Sequence, residues 1–296
     1  MSLAKAFAPG KVILLGEHAV VFGFPAVAGP LEQGVTVTLE QAASGGITLK
    51  GTPEGPSTIA HVLRKCAQAF HVSHAQVEIS GDLPQSVGLG SSAAVSVALV
   101  RAFAAAGQIS MRPQGLLERA MELEQEFHGA ASGVDHNVSF ERQLIRFVKG
   151  RRGQQIILPR QVEAVVWVVE PRGSTRERIA DIKRKQELDP ERSQKIFEGI
   201  GALVDEAVEG LETGELRTVG KAMDGNHKLL QELALSTPGL DAACSRLRSM
   251  GAFGAKLTGA GGGGAVVGLF EDADPVVSAL VAEGQKAFVA RWEAVE

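Results

Sequence analysis

Three stretches of the chain combine residue types that could hold and transfer phosphate. The first runs Pro84-Gln-Ser-Val-Gly-Leu-Gly-Ser-Ser-Ala-Ala94. Its glycines leave backbone N–H groups open to an anion, the helix expected to follow adds its dipole, and Ser91 and Ser92 add hydroxyls. On this stretch alone a plain helix start behind a tight glycine turn stays open. It is not a Walker A loop, because neither Gly10-Lys11 nor Gly220-Lys221 is followed by Ser or Thr. The second stretch is Lys256-Leu-Thr-Gly-Ala-Gly-Gly-Gly-Gly-Ala265. It contains a formal G-x-G-x-x-G at Gly259, Gly261 and Gly264, but residues 265–270 read as a strand, and a dinucleotide fingerprint must open a helix. Four consecutive glycines lose much backbone entropy on folding, so they point to a flexible loop closing over a ligand or packing beside its phosphates.

The third set joins Gly10-Lys-Val-Ile-Leu-Leu-Gly-Glu-His18 to the segment from Glu124 to Asp135. Lys11 opens an apolar strand, an odd place for a solvated charge. Glu17 and His18 follow a glycine at the strand's end. Glu124 lies on the end of a helix, and Asp135 follows a Ser-Gly turn, on a loop or a new helix terminus. His128 reads as a helix C-terminal residue rather than a metal ligand. Each of these alone reads as a surface charge. Two acids, a lysine and an anion loop together suggest a magnesium-dependent phosphoryl transferase.

The elements that must position these groups follow from periodicity. Residues 11–15 form a short apolar run, residues 35–39 alternate with period two, and residues 47–50 and 76–80 read as further strands. Helical spacing covers 57–70, with Ile59, Val62, Leu63 and Cys66 on one face. An alanine-rich helix is expected over 93–106 and an amphipathic one over 113–127, with Pro113 near its first turn. Residues 144–148 and 164–169 are expected strands. From Arg176 to about Leu235 the pattern is helical and highly charged, a solvated face. A helix over 241–250 ending at Gly251, a strand over 265–270 and a helix over 275–288 complete the chain. Strands and helices without strict alternation suggest an α+β fold. The polar, glycine-bearing stretch 149–155 places a domain boundary near 150–165.

Composition narrows the function. The 296 residues are 45% hydrophobic and 22% charged with a net charge of −4, which excludes a broad basic footprint for nucleic acid or an anionic membrane. Two cysteines cannot build a disulfide framework or a four-cysteine zinc site. There is no tyrosine, so one acid–base group is missing. The N-terminus lacks the order of a signal peptide, and the longest apolar run, 92–100, is too short to span a bilayer, so the expected compartment is the cytoplasm.

With these residues in view, the chain resembles the GHMP small-molecule kinases. Pro9-Gly-Lys-Val-Ile-Leu-Leu-Gly-Glu-His-Ala-Val-Val21, Gly88-Leu-Gly-Ser-Ser-Ala-Ala94 and Lys256-Leu-Thr-Gly-Ala-Gly-Gly-Gly-Gly264 resemble its three motifs, in order and over the whole chain. Within that superfamily Glu-His-Ala-Val-Val favours the mevalonate kinase family over the galactose kinases. The resemblance implies an α+β fold with two lobes: a mixed α/β lobe over 1–160 and a ferredoxin-like lobe over 161–296, with the active site between them. It implies ATP and mevalonate as substrates, with 5-phosphomevalonate and ADP as products. Other GHMP substrates (phosphomevalonate, a sugar or another small alcohol) and a nucleotide-binding sensor without catalysis are the alternatives.

Carried over by position, the resemblance implies that Asp135 is the general base and that Lys11 stands near it and the transferred phosphate. It implies Ser92 and Glu124 as ligands of Mg2+, and Pro84, Val87, Gly88, Leu89, Gly90, Ser91, Ser92 and Ala93 as the ATP loop. It places Glu17, His18, Thr175, Gly261 and Gly262 on the substrate side, with Thr175 in the segment Ser174-Thr-Arg176. Many relatives are dimers, so a homodimer is left open. The chain departs from the family pattern at Ser86, at Ala131, at His136 (with Asn137 one place late) and at Ala265.

Overall fold

The apolar runs at 11–15 and 35–39 are the visible parts of two longer strands, β1 (Ser2–Leu15) and β2 (Ala26–Glu40). In the β2 run Val35, Val37 and Leu39 are buried while Thr36 and Thr38 are half-buried, as period two requires. The computed structural model describes residues 2–42, 46–50, 58–84, 87–128, 133–171, 184 and 187–295. Contacts group the chain into two compact units. One comprises Met1–Gly10, Gln33–Leu83 and Gly90–Arg142, the other Lys11–Glu32, Pro84–Leu89 and Gln143–Glu296. The grouping follows no single cut, because β1 and β2 each contribute to both units.

In the first unit the second half of β2 pairs antiparallel with β4 (Ala75–Gly81), and β3 (Ile47–Leu49) pairs parallel with β4. Four helices accompany this sheet: α1 (Thr58–Ala69), α2 (Ser91–Ala106), α3 (Pro113–His128) and α4 (Val134–Glu141). Helix α2 packs against the other three. Its Ala93, Ala94, Ala98 and Ala102 are almost wholly buried, so small side chains let neighbouring helices approach it on several sides. The Ser139 hydroxyl donates to the Pro9 carbonyl at 2.6 Å and ties α4 to the first half of β1.

In the second unit a four-stranded antiparallel sheet has the order β10–β7–β9–β8, from β7 (Val162–Glu170), β8 (Gly254–Thr258), β9 (Gly264–Phe270) and β10 (Lys286–Trp292). Helices α5 (Pro190–Thr213), α6 (Leu216–Glu232) and α7 (Pro238–Ser249) connect β7 to β8, and α8 (Asp274–Ala282) connects β9 to β10. This is the ferredoxin-like order. The first half of β2 pairs with β5 (Ile145–Phe147), which pairs with β6 (Gln154–Gln155). Phe197, Ile200, Val165, Leu240, Leu257, Val266 and Leu280 belong to the unit's core.

Two elements differ from expectation. The helix expected over 275–288 stops at Ala282, Gly284 turns the chain at φ 79°, and Lys286–Trp292 is an edge strand on β7. The apolar residues that looked like the end of a helix instead complete the sheet. Strand β8 has no counterpart in the sequence reading because Lys256 interrupts its apolar run. Among the described residues no helix is long and apolar enough to cross a membrane.

Candidate functional site

In the second unit the end of β1 turns inward at Gly16. Its φ is 97°, and a Cβ there would lie 2.5 Å from Ala26 Cα, so only glycine fits. The Gly16 N–H donates to Asn226 Oδ1 at 3.0 Å. Glu17 then enters the interior, 1% exposed, where its carboxylate pairs with the ammonium of fully buried Lys256. Lys256 also donates to the Leu257 carbonyl at 2.6 Å. Burial drives both groups toward their neutral forms, raising Glu17 and lowering Lys256, and their mutual attraction opposes it. One step further along β8, Thr258 clamps β1. Its hydroxyl accepts from the Ile13 N–H at 3.2 Å and donates to the Ile13 carbonyl at 3.0 Å.

His18 occupies a γ-turn with φ 61° and ψ −48°, closed by the Ala19 N–H donating to the Glu17 carbonyl at 2.7 Å. Such positive-φ γ-turns are rare and strained for a non-glycine residue. His18 Nε2 donates to the Ala260 carbonyl at 3.0 Å. Burial holds this imidazole down to about 4, and the hydrogen bond to Ala260 works the other way. The folded state therefore binds fewer protons than the unfolded chain between about pH 6.5 and pH 4. Stability from this group is complete above the unfolded value and is lost as pH falls toward 4. Against His18→Asn, which tolerates positive φ, the ligand-free protein should lose on the order of 3 kcal/mol more over that window. Equilibrium denaturation at several pH values checks this, and parallel pH profiles for the two proteins would refute it.

The same unit holds Lys11, 4% exposed, whose N–H donates to the Leu89 carbonyl at 2.9 Å. Pro84, Val87 and Leu89 are buried and Gly88 is half-buried. A Cβ on Gly259 would stand 3.4 Å from Gly88 Cα. The unit thus brings together the 11–18 segment, residues 87–89 and the glycine run. That run is anchored rather than free, which corrects the expectation of a flexible loop. The Gly262 N–H donates to the Leu235 carbonyl at 2.8 Å, and a Cβ on Gly261 would come within 2.3 Å of the same oxygen. Gly259 and Gly261 to Gly264 all have φ between 65° and 107°, which explains four consecutive glycines better than mobility does.

In the first unit Gly90, at φ 75°, precedes α2, on whose first turn Ser91 and Ser92 are half-buried and Ala93 is buried. The Ser92 hydroxyl donates to Glu124 Oε1 at 2.8 Å. Glu124, near the C-terminal end of α3, is 5% exposed, and its Oε2 is buried with no hydrogen-bond partner. Burial pushes this carboxyl up to about 7; the charge of Asp135 adds to the shift, and the Ser92 hydrogen bond opposes it. Asp135 lies half-buried in the first turn of α4, which resolves the choice between loop and helix terminus. His136, the next residue, is 1% exposed, and burial holds its imidazole below the ordinary value.

Among the described residues no three His, Cys, Asp or Glu side chains converge as a cage for a metal ion. A serine hydroxyl and one carboxylate instead leave most positions to phosphate and water, the way Mg2+ is commonly held. Cys66 and Cys244 are buried, and burial pushes both thiols up to about 12, so neither is a nucleophile. Thr175, with Ser174, Arg176, Ser86 and Ala131, lies outside the described residues. The sequence reading missed Lys256, Thr258 and Asn226 as the inner supports of the first motif. The one available signal was a lysine inside the apolar run 254–258.

Comparisons with known proteins identify the family. The GHMP kinases N terminal domain matches residues 57–141, and the GHMP kinases C terminal domain matches residues 207–286. A mevalonate kinase of Pyrococcus abyssi is 33% identical over 299 residues, covering 90% of this chain and 88% of that protein. The mevalonate kinase of Methanothermobacter thermautotrophicus is 31% identical over 290 residues, covering 94% of each chain. Among solved structures, the L. major mevalonate kinase in complex with R-mevalonate superposes with a TM-score of 0.84 at 26% identity, covering 98% of this chain and 96% of that one. Identity of 33% over 90% of the chain, with a GHMP kinase domain matched in each half, shows that the chain belongs to the mevalonate kinase family of the GHMP kinases.

Proposed function

We propose that this protein transfers the terminal phosphoryl group of ATP to the 5-hydroxyl of mevalonate, giving 5-phosphomevalonate and ADP, in the mevalonate route to isoprenoids. The observation that carries the reading is the match along nearly the whole chain to mevalonate kinases, one of them solved with R-mevalonate bound. Residues 1–160 form the ATP lobe in this reading and 161–296 the lobe with the third motif. Each family match lies on its own side of that boundary.

The residues have distinct tasks. Backbone N–H groups from Gly88 to Ala93, at the start of α2, receive the ATP phosphates, with Pro84 and Val87 shaping the approach. Ser92 and Glu124 fit a divalent cation, because a buried carboxylate with an unpartnered oxygen and a raised proton affinity gains most from a positive charge. Mg2+ bound there with ATP would neutralise phosphate charge. Asp135 accepts the proton of the mevalonate hydroxyl, and Lys11 stabilises charge on the transferred group. His18, Gly261 and Gly262 face the substrate, and Thr175 is assigned to the same side by the family resemblance alone. Glu17, buried against Lys256, supports the first motif from the interior rather than by touching substrate.

ADP release with ATP, Mg2+ and a panel of mevalonate, 5-phosphomevalonate, galactose and homoserine tests the reading. Turnover should appear with mevalonate alone. Turnover with another member instead would keep the phosphoryl-transfer chemistry and discard the substrate.

A further inference from the structure

The imidazole of His136 has no part in the chemistry above, and its surroundings leave it incomplete. It sits on the inner side of α4, 1% exposed, and neither ring nitrogen has a hydrogen-bond partner. Its Nε2 lies 3.7 Å from Glu124 Oε2, beyond hydrogen-bonding distance. That oxygen is itself buried and has no hydrogen bond of good geometry, because Ser92 occupies the other oxygen of the same carboxylate and the nearby Ser96 hydroxyl, which favours the charged carboxylate, also lacks a well-formed bond. The asparagine that the family pattern places after the aspartate falls at Asn137, where its Nδ2 donates to the Gly133 carbonyl at 2.9 Å and closes the start of α4. The histidine that takes its place is thus turned toward Glu124 with nothing in the chain to satisfy it. Two facing, orphaned atoms, each able to donate a lone pair across a gap too wide for a hydrogen bond, suit a shared cation.

We infer that His136 Nε2 is a further ligand atom for the divalent cation held by Glu124 and Ser92, and that it biases this protein toward ions that accept nitrogen, such as Mn2+ or Co2+, over Mg2+. Mg2+ favours oxygen ligands, whereas imidazole suits the transition ions. The inference rests on the phosphoryl-transfer reading, since it extends the cation site of that reading by one residue. In this arrangement Nδ1 carries the ring proton and Nε2 presents its lone pair.

The test uses the full chain with 15N-labelled histidine, loaded with Mn2+ and ATP and no acceptor alcohol, and reads nitrogen couplings to the ion by pulsed electron paramagnetic resonance. Unlabelled protein should show a 14N coupling that changes to a 15N pattern on histidine labelling and vanishes in His136→Asn. In that variant the Mn2+ dissociation constant in the presence of ATP should rise by about tenfold or more, while the Mg2+ constant moves much less. Should His136→Asn fail to fold, His136→Gln carries the same comparison. A histidine coupling that survives in either folded variant overturns the assignment. So does its absence from a wild-type protein that binds Mn2+ and ATP, and this second result leaves the kinase reading standing. Failure of the wild type to bind ATP with any divalent cation overturns both.

Discussion

Replacing Asp135 with alanine should lower kcat by about 10²–10⁴-fold, the range for losing a positioned general base, with little change in thermal stability. The side chain is half-buried in the first turn of α4, and the helix start is held by other groups: Gly133 at φ 91° and the Asn137 amide on the Gly133 carbonyl. A thermal melt run beside the assay separates loss of rate from loss of fold. Asp135→Asn sharpens the argument. Asparagine keeps the shape and can still accept a hydrogen bond from the substrate hydroxyl, but it cannot take the proton. If Asp135 is a base, the alanine and asparagine variants should be similarly slow with KM for mevalonate nearly unchanged. If it only orients the hydroxyl, asparagine should recover much of the rate. Turnover of the alanine variant at the wild-type rate would remove Asp135 from the mechanism.

The largest expected effect on stability is at Lys256. Lys256→Met leaves the Glu17 carboxylate uncompensated at 1% exposure, with one oxygen already lacking a partner. Breaking a buried pair from one side costs about 3–5 kcal/mol, because the remaining charge keeps its desolvation penalty and loses its attraction. The double replacement Glu17→Leu with Lys256→Met removes both charges and should recover most of that loss. Denaturant midpoints and slopes of the wild type, both single variants and the double variant form the cycle that measures the coupling. Additive single effects would show that the pair does not act as a unit. The surface pair Lys50–Glu78 is the contrast. Its side chains are 48% and 44% exposed, and its removal should leave the midpoint unchanged, because water already solvates both charges.

Glu17 and Lys256 also mark where sequence reasoning reached and where it stopped. The period-two run at 35–39, the alanine-rich helix α2 and the proline-started helix α3 were legible, because each depends on a few neighbouring residues. The residue types at Ser92, Glu124 and Asp135 were legible as well, but the contact between Ser92 and Glu124, 32 positions apart, came from packing. Other features came from packing. Lys256 reads locally as a break in an apolar strand. It is an interior residue because Glu17, 239 positions away, meets it there. The last strand, β10, looked like the end of a helix until the edge of β7 offered its backbone a ladder. The glycine run looked mobile until the Leu235 and Ala260 carbonyls anchored it. His136 read as a departure from a pattern, and only the turn of α4 points it at an unpartnered carboxylate oxygen. The sequence by itself determined most of the helices and the alternating run of β2, since periodicity and side-chain type are local properties. Only the tertiary structure decided which charges are buried and which partner each one faces, because desolvation and pairing depend on residues distant in the chain.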